Sequence, residues 1–223
     1  MRITQARDSD MAITIFIADD HVILREGLAR LLQSHAGFEV VGGAGNGRET
    51  VRLVRQLKPK VVILDISMPD MNGIEAARQI GETAPDSRVV ILSMHSTAEH
   101  VFHALEAGAR AYILKESASD EIVNAVQVVH SGRRFLSAKV SAIVADQLAL
   151  RPRTSPLDSL SRREREILQL VAEGRSSAKI ASVLAISPKT VDTYRSRLMQ
   201  KLNIGDVAGL VKFAIQHGLT PLE

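Results

Sequence analysis

The chain has 223 residues, 45% hydrophobic and 24% charged, ordinary for a soluble globular protein with one large core or two small ones. It contains no cysteine, which excludes disulfides, thiolate zinc centres and cysteine nucleophiles. The net charge of +3 hides an asymmetry: residues 1–150 carry 16 Lys/Arg against 18 Asp/Glu, whereas 151–223 carry 12 against 7, so nucleic acid, if bound, is expected at the basic C-terminal part.

The opening MRITQARDSDMA is polar and lacks the apolar centre of a signal peptide. It reads as a loose extension, with Met1 or Met11 as the true start. No apolar run approaches the ~20 residues of a membrane span, and a cytoplasmic location is expected. From Ile13 onward, short apolar runs at 13–18, 38–43, 61–65, 88–93 and 111–114 alternate with helix-periodic stretches near 21–34, 47–57, 73–82, 97–107 and 118–131. The runs are continuously Val/Ile/Leu-rich, as parallel strands covered on both faces require. Five such units predict a doubly wound, five-stranded parallel α/β domain over 13–131.

Residues 132–156 change character. VSAIVADQL (140–148) is compatible with a short helix, and LRPRTSPL (150–157) reads as a linker. Beyond it, helices are expected at 161–173, 177–184, 188–202 and 206–217, giving an all-α second domain over 157–223. Ser161 and Glu164 have capping-box spacing, Gly174 suits a helix end, and Pro188 suits a first turn.

In an open parallel sheet, ligands gather at the carboxyl ends of the strands. Those ends carry Asp19 and Asp20, then Asp65, Ser93 and Lys115. Carboxylates packed together repel, so the group calls for a cation, and hard oxygen ligands favour Mg²⁺. A carboxylate so placed can attack a phosphoryl donor and become an acyl phosphate, with the ion and Lys115 neutralising the transferred group. Each residue alone also fits a plain role: a turn, a helix cap, a loop amide partner, a solvated lysine. The joint placement favours the chemical reading.

Along 188–202, PKTVDTYRSRLMQKL, a helical wheel puts Val191, Leu198 and Leu202 on one face with Tyr194 at its edge. Lys189, Thr193, Ser196, Arg197 and Gln200 fall opposite, flanked by Asp192. Such a helix can enter a major groove. Alone, it also fits a plain helical bundle.

The segments FIADDH, VVILDISMPDMNG, VVILSMH and AYILK resemble those of response-regulator receivers, and LSRREREILQLVAEGRSSAKIASVLAISPKTVDTYRSRLMQKLNI resembles the LuxR-type helix-turn-helix. Together they resemble the NarL/FixJ class of two-component response regulators, with a flavodoxin-like receiver. The resemblance implies that Asp65 is the phosphoacceptor and that Asp20, assisted by Asp19 and the Ser67 backbone carbonyl, holds Mg²⁺ beside it. It implies Lys115 as the phosphate-pairing lysine, with Ser93 and Tyr112 as switch residues: Tyr112 fills space vacated when Ser93 moves toward the phosphate. An ordinary core aromatic remains the alternative for Tyr112. Many receivers have proline after the lysine; here Glu116 follows. Lys189, Asp192, Thr193, Arg195, Ser196 and Arg197 fall where the family contacts double-stranded DNA. Many members have lysine at position 192, and an acid there could accept from a cytosine amine. Arg195 lies nearer the buried side, which favours a phosphate role. A sensor histidine kinase, a homodimer formed on phosphorylation or on DNA through helix 206–217, and RNA polymerase are the implied partners. The only catalysis implied is Mg²⁺-dependent self-phosphorylation and self-dephosphorylation.

Other signals carry less. GGAGNG (42–47) is out of register with a nucleotide-binding loop, and His95, His100 and His103 form no zinc motif. An enzyme acting on other phosphoesters is a competing reading, but Ser67 stands where a phosphohydrolase DxD needs its second acid. A partner-docking module with a vestigial tail is another, opposed by the cationic outward face of 188–202.

Overall fold

A computed structural model describes residues 12–149 and 156–220. The N-terminal extension with its two candidate starts, and residues 150–155 of the expected linker, lie outside these. Strands β1 (Ile13–Ala18), β2 (Phe38–Ala44), β3 (Val61–Asp65), β4 (Arg88–Ser93) and β5 (Ala111–Leu114) alternate with helices α1 (Val22–Gln33), α2 (Gly47–Leu57), α3 (Gly73–Thr83), α4 (Ala98–Glu106) and α5 (Ala118–His130). All strand pairs are parallel, in the order β2-β1-β3-β4-β5-β6. The flavodoxin-like order is as expected; the strand number is not. A sixth strand, β6 (Phe135–Leu136), pairs with Ala111 and Tyr112. It is too short to carry a period. The expected linker also begins earlier as helix: α6 (Ala138–Ala149) buries Val140 in the core that contains Tyr112.

Alternate residues of each strand enter opposite cores. Phe16, Val62, Leu64, Ile91 and Tyr112 pack with Val54, Ile80 and Val101 from α2, α3 and α4. Ile15, Ile17, Ile63, Leu92 and Ile113 pack with Leu32, Ile122 and Val126 from α1 and α5. Burial on both faces explains the unbroken apolar runs.

The second domain contains α7 (Arg162–Ala172), α8 (Ser177–Leu184), α9 (Pro188–Leu202) and α10 (Val207–Gln216). Ser161 and Glu164 form the expected capping box, Gly174 adopts φ +72 after α7, and Pro188 occupies the first turn of α9. Ile167, Leu170, Ile180, Val191, Leu198, Leu210 and Ala214 share its core. Among the described residues no helix is long and apolar enough to cross a membrane.

The two domains meet through α7. Gln169, 2% exposed, donates from Nε2 to the Met68 carbonyl at 3.1 Å and accepts from the Asn72 amide at 2.9 Å. The Asp70 amide donates to Glu173 Oε1 at 3.1 Å, and Arg175 pairs with the Asp70 carboxylate. Arg162 reaches Glu75 at 2.8 Å and Glu82 at 3.1 Å. Beyond α10, Gly218 at φ +65 lies against the His100 ring, where a Cβ would collide. The C-terminal helical domain thus grips the loop that leaves β3.

Candidate functional site

The acidic residues do converge. Crossing from β1 outward to β2 and then back to β3 opens a crevice at the carboxyl ends of β1 and β3. Asp19 and Asp20 follow β1, and Asp65 ends β3. Gly73 lets α3 start tight against β3, since a Cβ there would strike the Asp65 carbonyl. Ligand atoms of Asp19, Asp20, His21 and Asp65 lie within 4.8 Å of one another. Asp19 and Asp65 are 1% and 2% exposed, while Asp20 opens to solvent.

Lys115, directly after β5, places Nζ 2.8 Å from Asp19 Oδ2 and 2.9 Å from Asp65 Oδ2. Burial pushes Asp65 above the usual carboxylate range; Lys115 opposes this and Asp19 adds to it. Lys115 is lowered by burial but raised more by Asp65 and Asp19, so its ammonium is firmly held. One lysine against three carboxylates leaves excess negative charge, and the oxygen-rich donor set suits a hard divalent cation. His21 was not anticipated as a site residue. Its Nδ1 sits 3.1 Å from Asp19 Oδ1 and 2.8 Å from Asp20 Oδ1; its place directly after the acidic pair in FIADDH was the available signal.

Ser93 is fully buried at the end of β4 and accepts from the His95 amide at 3.0 Å. Tyr112 is likewise fully buried, and its hydroxyl donates to the His95 carbonyl at 2.7 Å. Burial raises its phenol to about 12. Serine and tyrosine therefore hold the same residue of the β4–α4 loop. His95 also approaches Ser67 Oγ at 3.0 Å and stacks on His100 with centroids 4.4 Å apart. His95 and His100 thus pack on one another, and the His100 ring also meets Gly218 of the second domain.

On α9, Val191 and Leu198 are buried, Tyr194 and Leu202 half-buried, and Lys189, Asp192, Thr193, Ser196, Arg197 and Gln200 exposed. Docking through α7 leaves this polar face open. Thr193 Oγ1 donates to the Lys189 carbonyl at 2.9 Å. Half-buried Arg195 donates to Ser177 Oγ at 2.9 Å, and Ser177 donates to Asp192 Oδ1 at 2.7 Å. On α10, Leu210 and Ala214 are core, whereas Val207 is exposed and Val211 half-buried.

Known proteins agree with this architecture. Residues 15–127 match the family model "Response regulator receiver domain", and residues 158–214 match "Bacterial regulatory proteins, luxR family". Response regulator GacA of Pseudomonas aeruginosa is 36% identical, covering 93% of this chain and 97% of its own. Response regulator UvrY of Escherichia coli K12 is 35% identical over 95% and 97%. Among solved structures, the RcsB response regulator of Salmonella typhimurium superposes with TM-score 0.65 at 25% identity, over 92% of this chain and 98% of that one; RcsB dimers have also been solved on DNA. The chain belongs to the NarL/FixJ family of response regulators and is a transcriptional regulator with a receiver followed by a LuxR-type DNA-binding domain.

Proposed function

We propose that a sensor histidine kinase phosphorylates Asp65 and that the phosphorylated protein regulates transcription by binding specific double-stranded DNA through α9. The observation that carries the reading is the buried Asp65 carboxylate, held 2.9 Å from Lys115 beside Asp19, Asp20 and His21. Asp19, Asp20, Asp65 and the Ser67 carbonyl would hold Mg²⁺, which supplies charge neutralisation during phosphoryl transfer. Lys115 pairs with the phosphoryl oxygens, while Asp65 supplies the attacking oxygen. Ser93 turns its hydroxyl to the new phosphate and gives up the His95 amide; Tyr112 follows the displaced loop. The same groups support slow self-dephosphorylation by water. Domain limits of 13–131, 132–156 and 157–223 fit this division of labour, although packing of α6 on the receiver core favours ending the receiver near residue 149.

On α9, Lys189, Thr193, Ser196 and Arg197 face outward and meet base edges and phosphates, with Arg195 on the DNA backbone and Asp192 beside it. RcsB dimers on DNA support a homodimer, with Val207 and Val211 on the available face of α10. A cytoplasmic location, in reach of both DNA and RNA polymerase, follows. The test is DNA footprinting after treatment with acetyl phosphate and Mg²⁺. Protection should sharpen with phosphorylation in the parent and stay at its basal level in Asp65→Asn; equal sharpening in both would overturn the reading.

A further inference from the structure

Asp192 stands on the exposed face of the helix assigned to DNA, where an acid repels phosphate. The simplest role for such an acid is to read a cytosine amine. The geometry around it points elsewhere. Ser177, the first residue of α8, has one hydroxyl proton, and it is given to Asp192 Oδ1 at 2.7 Å. The oxygen's lone pair accepts from Arg195 Nη1 at 2.9 Å. The result is a directed chain, guanidinium to hydroxyl to carboxylate, that joins the two helices of the helix-turn-helix. Asp192 and Arg195 are three residues apart on α9, hence on one side of the helix. Arg195 Nε is buried without a hydrogen-bond partner, so this chain is the polar tether that fixes the guanidinium's direction. A hydroxyl that donates to a carboxylate is also a better acceptor, because successive hydrogen bonds polarise one another.

We propose that Asp192 is a positioning residue: through Ser177 it aims Arg195 at the DNA backbone, and it does not itself select a base. This rests on the reading of α9 as the DNA-contacting helix. It accounts for an acid being tolerated on that face, since its carboxylate is engaged within the protein by the Ser177 hydroxyl. Specificity then lies with the remaining outward residues of α9.

The test uses the full chain, phosphorylated with acetyl phosphate, against a pool of randomised duplexes and one duplex selected from that pool by the parent. Asp192→Ala and Ser177→Ala should each weaken binding to every duplex by a similar factor, about 2- to 10-fold for one lost hydrogen bond. Each should flatten the dependence of log affinity on log salt by ~0.9, the loss of one phosphate contact. The double variant should be no weaker than either single one, as expected for residues in one chain. Asp192→Asn keeps an acceptor for Ser177 and should restore affinity with base preference unchanged; this separates lost aim from misfolding. A changed base preference at one position in Asp192→Asn would make Asp192 a base reader and overturn the proposal. Additive losses, or parental binding by Asp192→Ala, would overturn it as well. Failure of the underlying reading looks different: Thr193→Ala and Arg197→Ala would then also bind every duplex as the parent does.

Discussion

Removing the Gln169 side chain should release the DNA-binding domain from the receiver without touching either core. Gln169 is 2% exposed and satisfies two receiver backbone groups, the Met68 carbonyl and the Asn72 amide. In Gln169→Ala both groups would be orphaned in the docked state yet solvated once the domains part. An unsatisfied buried polar group costs about 1–3 kcal/mol, so even one that finds no water shifts the docking equilibrium roughly 5- to 150-fold. The ion pairs of Arg162 and Arg175 are partly exposed and contribute less, about 0–1 kcal/mol each. The reporter is amide hydrogen exchange at Asp70, whose N–H donates across the interface to Glu173, an acceptor the variant retains. Its exchange should accelerate about 5- to 150-fold, while amides inside β3 and α9 keep their parental rates. Parental exchange at Asp70 in Gln169→Ala would refute the reasoning, because the clamp would then not depend on this side chain.

Further outcomes follow from the same geometry. Lys115→Met leaves Asp19 and Asp65 side by side without their cation; stability without Mg²⁺ should fall by about 3–5 kcal/mol, read by denaturant unfolding, and added Mg²⁺ should recover part of it. Burial lowers His100 to about 4, with His95, His103 and His217 adding to the effect and Glu99 opposing it. Its neutral form is therefore the one the fold accepts. The associated stability is complete above the unfolded value near 6.5 and is lost as pH falls from there through about 4. Thermal midpoints should drop across that window in the parent and drop less in His100→Gln. Gly218→Ala would drive a Cβ into the His100 ring at a positive φ. It should accelerate exchange at the Asp70 amide as Gln169→Ala does; an unchanged rate would show that the α10 end is not part of the contact.

Much of this was legible in the sequence because its causes are local. Continuous apolar runs such as VVILD mark strands buried on both faces, and the Ser161–Glu164 spacing and Pro188 fix helix starts through backbone amides only a few residues away. The acidic site was legible for a second reason: parallel topology brings strand ends together, so Asp19, Asp65, Ser93 and Lys115 could be assembled from register alone. What escaped depends on distant partners. Gln169 and Glu173 look like any solvated helix face, and only the docked loop at 68–72 buries Gln169 and half-covers Glu173. β6 has two residues, too few for periodicity. The helix over 138–149 was expected only from 140, although Ser137, whose hydroxyl accepts from the Val140 amide at 3.4 Å, was a readable cap. The hydrogen bond from Ser177 to Asp192 escaped because Ser177 lies on the neighbouring helix.

The most direct test is to locate the phosphate chemically. The parent would be incubated with acetyl phosphate and Mg²⁺, reduced with borohydride to convert any acyl phosphate to homoserine, then digested and sequenced by mass spectrometry. Homoserine at position 65, absent when Mg²⁺ is chelated, is the expected result. Homoserine at a different acid, or none anywhere in the parent, would contradict the account.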